Sequence, residues 1–573
     1  MMRGVLVLLF VAAGCDGSAD GGLAELGASS EGPDLQGAAD MAVCVSRCSD
    51  DASQIVDCRG QVISQCGAGT QCAGSMCVSP CEMARQNKDS LGCDYWLVGP
   101  GEEGLVNGAC LAVILANTSP VAAEIGLEFK GKNYPAINFA RIPVGQGKNI
   151  QYQALPATGI PPGKVAVLFL AQGPQLGKAA IACPVPAAYT VADAGSEVTS
   201  IIDAFHVTTT VPVVAYDIYP YGGAASAAST ATLLIPTSTW DVNYLAVDPW
   251  PQSANGGLAQ PFIQVAAVVD GTVVTIRPTV DIVGGVNVAA GKAGQNVTYS
   301  LARGQVLQLK QNAELVGSSI TSNFPVGVWG GASCLNIDTQ DQFCDAAQQQ
   351  LLPVKALGNE YVAARYKDRV VGKPESPPWR ILGAVDGTQL TYDPSPPNGA
   401  PAILSRGQIV TFWTSEPFTV KSQDSDHPFY LSAHMTGCQY KGNGYQIGDP
   451  EFVNVTSPSQ YLSTYDFFTD VTMGYTHLVL VRKLGDQGTF KDVTLDCLGV
   501  VKGWRPVGKS GQYETVGVDL VDRGLPVGSC NNGYHTARSD GAFGLTVWGW
   551  DTAVSYAYPA GARIAPINDI TIQ

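Results

Sequence analysis

Phe262-Ile-Gln-Val-Ala-Ala-Val-Val-Asp-Gly-Thr-Val-Val-Thr-Ile276 decides the fold class. Two short runs of β-branched and aliphatic residues flank Asp270-Gly271. Such runs read as strands, and Asp-Gly suits a tight turn because the turn needs positive φ at its centre, so the stretch predicts a β-hairpin. Arg380-Ile-Leu-Gly-Ala-Val-Asp-Gly-Thr-Gln-Leu-Thr-Tyr392 repeats the device around Asp386-Gly387. From about residue 94 onward Gly, Pro, Thr and Val are abundant and helical periodicity is scarce. The chain is therefore expected to be all-β.

The likeness runs further than the turns. Each is followed by a Gly-Gln strand start, Gly304-Gln-Val-Leu-Gln-Leu and Gly407-Gln-Ile-Val-Thr-Phe. Then come a strand, a polar turn, a Pro and another strand, as in Ser318-Ser-Ile-Thr-Ser-Asn-Phe-Pro-Val-Gly-Val-Trp-Gly-Gly331 and Phe418-Thr-Val-Lys-Ser-Gln-Asp-Ser-Asp-His-Pro-Phe-Tyr-Leu-Ser-Ala433. An earlier copy ends at Tyr216 and a weaker, later one at Trp550. Pro212, Pro325 and Pro428, with Ala542 at the fourth place, recur at intervals of a little over 100 residues. Between copies a Pro-bearing crossover leads to an aromatic residue that opens the next strand, as in Leu233-Leu-Ile-Pro-Thr-Ser-Thr-Trp-Asp-Val-Asn-Tyr244 and Leu351-Leu-Pro-Val-Lys-Ala-Leu-Gly-Asn-Glu-Tyr361.

Six or seven strands in a unit of that length suit a sandwich of two sheets. A propeller blade holds four strands in about 40 to 50 residues, so the alternative, a β-propeller, needs more than one blade per unit. The expected architecture is a set of tandem antiparallel β-sandwich-like repeats at approximately 94–232, 233–350, 351–450 and 451–573. Ahead of them lies a small disulfide-rich module at 41–93, where eight of the 16 Cys fall. That density marks a disulfide framework in an oxidising compartment rather than zinc, since the first 205 residues hold no His. Cys110–Cys183, Cys334–Cys344 and Cys497–Cys530 are the pairings expected in the body, leaving Cys438 with a partner elsewhere or as a thiol.

The N-terminus reads as an export signal. Arg3, the apolar run Gly4 to Val11 and the small residues before Cys15 fit a cleaved secretory segment, 1–15, too short to span a bilayer as a mature helix. Ala12-Ala13-Gly14-Cys15 resembles a bacterial lipobox, which implies lipidation of Cys15 and attachment to a membrane through that lipid. Residues 16–40, rich in Gly, Ala, Ser and acids, read as a flexible tether. The expected location is the bacterial cell envelope, lipid-anchored, at the outer membrane or cell surface.

The formal charge of −16 opposes phosphate backbones, so nucleic acid is excluded as a partner. Catalytic constellations are scarce. The five His (206, 427, 434, 477, 535) form no His-x3-His or His-x-His pair, and no Gly-x-Ser-x-Gly elbow occurs. Gly222-Gly and Gly330-Gly read as sites where strands bend or backbones approach closely, and His434 as a strand-end residue with a satisfied hydrogen bond. A secreted carbohydrate hydrolase would need two carboxylates facing each other across a cleft. The one cofactor the residues suggest is a structural calcium ion on Asp338, Asp341 and Asp345, because calcium takes oxygen ligands and acidic loops supply them. For binding, Tyr219 and Tyr221 in a Gly- and Ala-rich loop, and Trp548 and Trp550 on one strand face, are the exposed aromatic candidates, since Tyr and Trp dominate interface hot spots.

Ser318 to Gly331, Gly448-Asp-Pro-Glu-Phe452 and Pro458-Ser-Gln-Tyr461, in that order, resemble the IgGFc-binding protein N-terminal domain. That module occurs in mucus-associated animal proteins and in many bacterial surface proteins. The resemblance spans roughly residues 110 to 560. It implies a binding or adhesive role towards an extracellular protein or glycan, and the scarcity of catalytic constellations leads to the expectation that the chain is not an enzyme. A structural envelope component that self-associates edge to edge is the alternative.

Overall fold

The computed structural model describes residues 45–51, 53–67, 69–100, 106–174, 176–190, 197–226, 228–251, 260–337, 343–439 and 446–573. The expected export segment with Cys15, the tether, Asp338 and Asp341 lie outside the described residues.

Four sandwich units share one plan, and each is built on a long strand that serves two sheets. The strands are Phe205–Tyr219, Ser319–Leu335 and Tyr534–Asp551, while in the third unit Phe418–Ser422 and Phe429–Met435 play the two halves. In the second unit the first half pairs with Asp241–Leu245 and Thr272–Arg277, and the second half with Pro261–Ala267 and Asp345–Gln350. The change of sheet falls at Pro325, and in the other units at Pro212, at Pro428 and at Ala542. A proline suits that place because it has no N–H to give to a ladder.

The two Asp-Gly turns are not hairpins. Pro261–Ala267 and Thr272–Arg277 pair with opposite halves of the long strand and not with each other, so Asp270-Gly271 is a corner between sheets. Pro378–Gly383 and Thr388–Asp393 are separated in the same way. The local chemistry is as expected, with φ +72° at both Gly271 and Gly387. What the turn residues cannot encode is which neighbour takes up the flanking strands' hydrogen bonds. The Asp side chains anchor each corner, accepting from Arg303 N at 2.9 Å and from Arg406 N at 2.9 Å.

One buried tyrosine per unit locks the bend of the long strand. Tyr95, Tyr244, Tyr361 and Tyr465 donate through their hydroxyls to the carbonyls of Val213 (2.6 Å), Val326 (2.8 Å), Phe429 (2.7 Å) and Phe543. Each of these carbonyls belongs to the first residue beyond the bend. Each hydroxyl also accepts from the backbone N–H three residues before it, on Gly92, Asp241, Gly358 and Leu462. Tyr244 and Tyr361 are the aromatic residues that the two crossover phrases lead to.

No closed propeller forms among the described residues. A blade is a simple four-strand meander, whereas here the strand order in a unit is crossed. In the second unit it runs Ser200–Asp203, Gln305–Lys310, Pro261–Ala267, Ser319–Leu335, Thr272–Arg277, Val297–Leu301. The units are nevertheless joined in a ring. Thr230–Leu233, Asp345–Gln350, Glu451–Asn454 and Val554–Pro559, one from each unit, pack against one another in a closed cycle. Core clusters join first to last unit, second to third and third to fourth. Gly330 sits where backbones nearly touch, since a Cβ there would stand 1.7 Å from the Val247 carbonyl oxygen.

The Cys-rich module holds Cys48–Cys72, Cys66–Cys77 and Cys81–Cys93, and its helix Pro80–Asn87 packs on the first unit's long strand. No helix among the described residues is long and apolar enough to cross a membrane.

Removing the hydroxyl in Tyr361→Phe leaves a buried carbonyl and a buried N–H without their partner. The expected cost is about 1–3 kcal/mol, read as a lower urea midpoint. An unchanged midpoint would show that the hydroxyl does not hold the bend.

Candidate functional site

A cleft of ≈ 480 Å³ opens at the seam where the first unit meets the last. One wall is the hairpin Ala140–Val144 and Gln151–Ala154, with the start of strand Val165–Gln172. Ile142, Pro143, Ile150, Pro156 and Pro161 make this wall apolar and stiff, and Lys164 stands on it. Phe468 and Tyr534 of the last unit form the opposite wall. The hairpin turn is held against that unit. Gly147, at φ +53°, donates its N–H to Asn532 O at 3.0 Å, and a Cβ there would come within 2.9 Å of Asn531 Oδ1. Tyr534 donates to Asp466 Oδ1 at 2.5 Å, and Arg538 Nη2 lies 3.8 Å from the same oxygen. Burial and the Asp466 hydrogen bond hold the Tyr534 hydroxyl above its ordinary pKa, so it stays a neutral donor.

Two features open this cleft to a partner. Gln151–Ala154 is the edge strand of its sheet, and three of its four residues are exposed. Lys148 in the hairpin turn and Lys164 on the wall are exposed and enter no ion pair among the described residues, on a chain of charge −16. The sequence carried only faint signals of this site, namely the prolines at 143, 156 and 161 and the Gly145-x-Gly147 turn.

The aromatic candidates lie elsewhere, and their expected exposure is corrected by burial. Tyr219 is 1% exposed and donates to Val106 O at 2.9 Å. Tyr221 is 2% exposed, meets Tyr152 hydroxyl to hydroxyl at 3.0 Å and packs edge-on to Phe169. Trp548 and Trp550 do share a strand face, but that face is the core between the third and fourth units, where they pack on Tyr366 and Tyr475. Large apolar surfaces follow the biggest core available, which a single strand does not reveal.

The calcium reading loses its one described ligand. Asp345 is wholly buried at the start of an inner strand, where it accepts from Ser229 N at 3.0 Å and Ser555 N at 2.7 Å. It joins the first, second and last units instead of facing a loop. Burial, reinforced by Asp449, raises its carboxyl well above the usual range, and burial does the same for Glu451. Asp496, Cys497 and His535 cluster closely, but Cys497 is bonded to Cys530 and offers no thiolate. Cys110–Cys183 and Cys334–Cys344 are likewise disulfides, while the buried Cys438 stands outside these bonds. His434 Nε2 donates to Pro249 O at 3.0 Å; burial, with the nearby Arg380 charge, lowers its pKa to about 3, so the ring is neutral and enclosed.

A family model described as IgGFc binding protein matches residues 230–549, more than half of the 573-residue chain. The human IgGFc-binding protein is 26% identical over 341 residues, which is 57% of this chain and 6% of that protein. The chain thus spans a small fraction of the length of the curated relative it matches.

The buried Asp217, next to Thr232, gives the ring a pH signature. Burial raises its pKa to about 8. Its contribution to stability is complete below the ordinary carboxylate range near 4 and is lost as pH rises through about 8. The neutral His434 and His477 act in the opposite sense, but below roughly the ordinary His pKa of 6.5. Between pH 7 and pH 8.5 the urea midpoint should therefore fall, and Asp217→Asn should flatten that fall. A midpoint that rises over this range in both proteins would contradict the assignment.

Proposed function

The chain belongs to the IgGFc binding protein family, and from that premise we propose that it is a non-enzymatic binding protein of a bacterial cell envelope that holds an extracellular protein. The observation that carries the reading is the family match over residues 230–549, which takes in the whole of the second and third repeats, 233–350 and 351–450, and most of the fourth. The seam cleft adds a surface suited to the task, with apolar walls, an open strand edge and two lysines that enter no ion pair among the described residues. Attachment through lipidated Cys15 would present the ring outside the cell, with residues 16–40 as its tether. The six disulfides between described residues, Cys48–Cys72, Cys66–Cys77, Cys81–Cys93, Cys110–Cys183, Cys334–Cys344 and Cys497–Cys530, support an oxidising compartment.

The hydrolase reading has no support among the described residues. Asp345, Asp449 and Glu451 are enclosed where no sugar can reach, and the part-exposed Asp519 and Asp522 are both engaged by Lys367 at 2.9 Å. Self-association is favoured by one observation, the exposed edge strands, among them Val62–Gln65 of the Cys-rich module, where all four residues are exposed.

The test is capture by the immobilised, oxidised protein from intact cells, extracellular glycans and immunoglobulin. Specific capture of a protein that soluble chain competes away is expected, and immunoglobulin Fc in that fraction would extend to this chain the partner that the human relative is named for. Capture of nothing but its own copies would overturn the reading in favour of a self-associating envelope component.

A further inference from the structure

Resting on that binding reading, we propose that the seam cleft takes an extended, acidic segment of the partner protein, which adds a strand to the edge Gln151–Ala154. Pro143 decides which atoms of that strand face outward. The register pairs Pro143 with Tyr152, Ile142 with Gln153 and Val144 with Gln151. Pro143 has no N–H, so Pro143 and Tyr152 cannot exchange hydrogen bonds. The exchanging pairs are therefore Ile142 with Gln153 and Val144 with Gln151, because such pairs alternate along an antiparallel ladder. Tyr152 and Ala154 consequently turn their N–H and C=O groups away from the sheet, to the side where no further strand lies among the described residues.

An unpaired edge of this kind offers main-chain hydrogen bonds to an extended chain, and a neighbouring pocket selects its side chains. Here the pocket is the cleft, whose Ile142, Pro156, Pro161 and Phe468 suit apolar side chains. Charge complementarity sets the partner's sign. Lys148 and Lys164 are exposed at the same hairpin and cleft without an ion pair among the described residues. The nearby Asp466 carboxylate is already engaged by Tyr534 and Arg538. An acidic segment with alternating apolar residues satisfies both features, whereas a basic one would meet two free ammonium groups.

The experiment is fluorescence anisotropy of a labelled Thr-Glu-Val-Glu-Val-Glu-Thr peptide against the full oxidised chain. Two control peptides run beside it, one with Lys in place of Glu and one with the acidic sequence N-methylated at alternate amides. The acidic peptide should bind, the Lys peptide should not, and N-methylation should weaken binding about tenfold or more through lost main-chain bonds. The double variant Lys148→Glu/Lys164→Glu, confined to exposed side chains, should also weaken it about tenfold, with unchanged urea midpoint. Equal binding of the N-methylated peptide would overturn strand addition. Failure of the acidic peptide to bind a protein that still captures extracellular protein would overturn this proposal alone, and failure of both would overturn the binding reading itself.

Discussion

A tyrosine hydroxyl placed at the bend of a long strand is the interaction on which the architecture rests. A strand that serves two sheets must leave one ladder and join another, and at that point its backbone groups lose their regular partners. Tyr95, Tyr244, Tyr361 and Tyr465 meet the need by accepting one N–H and donating to one carbonyl at the corner. In a buried setting an unmade hydrogen bond is costly, so the same residue recurs in all four units. The third unit shows how strong the device is. Its strand is broken between Ser422 and Phe429, yet Tyr361 still bonds the Phe429 carbonyl and both sheets form.

With the bends fixed, each unit presents one inner strand, and the four inner strands close the ring. The ring interior is unusually polar for a core. Gln264 donates to Gln308 and accepts from Gln348, and Asp345 ties backbone amides from the first and last units. Buried polar networks that are satisfied specify one arrangement, because any slip leaves groups without partners. Closure therefore creates the seam cleft as a by-product, since the first and last units must meet somewhere, and the hairpin at 140–154 lies across that meeting.

The candidate site is consequently a property of assembly. Tyr534 and Phe468 come from one end of the chain and Pro143, Pro156 and Lys164 from the other. The residue types that attract notice in the sequence were drawn into the core. Trp548 and Trp550 fill the interface of the third and fourth units, and Tyr219 and Tyr221 fill the first. What remains outside for a partner is plainer material, aliphatic and proline side chains, an open strand edge and two lysines.

The sequence by itself determined the all-β class, the repeat and its sandwich-like plan, because strand propensity, turn glycines and prolines act within a few residues and recur where the unit recurs. It also marked the close approach at Gly330 and the positive φ at Gly271 and Gly387, for the same local reason. The tertiary structure alone decided that the Asp-Gly turns are corners between sheets, that Asp345 is a buried strut and that a cleft opens at the seam. Those outcomes depend on which distant strand supplies each hydrogen bond and which apolar faces meet, and no short stretch of chain carries that choice.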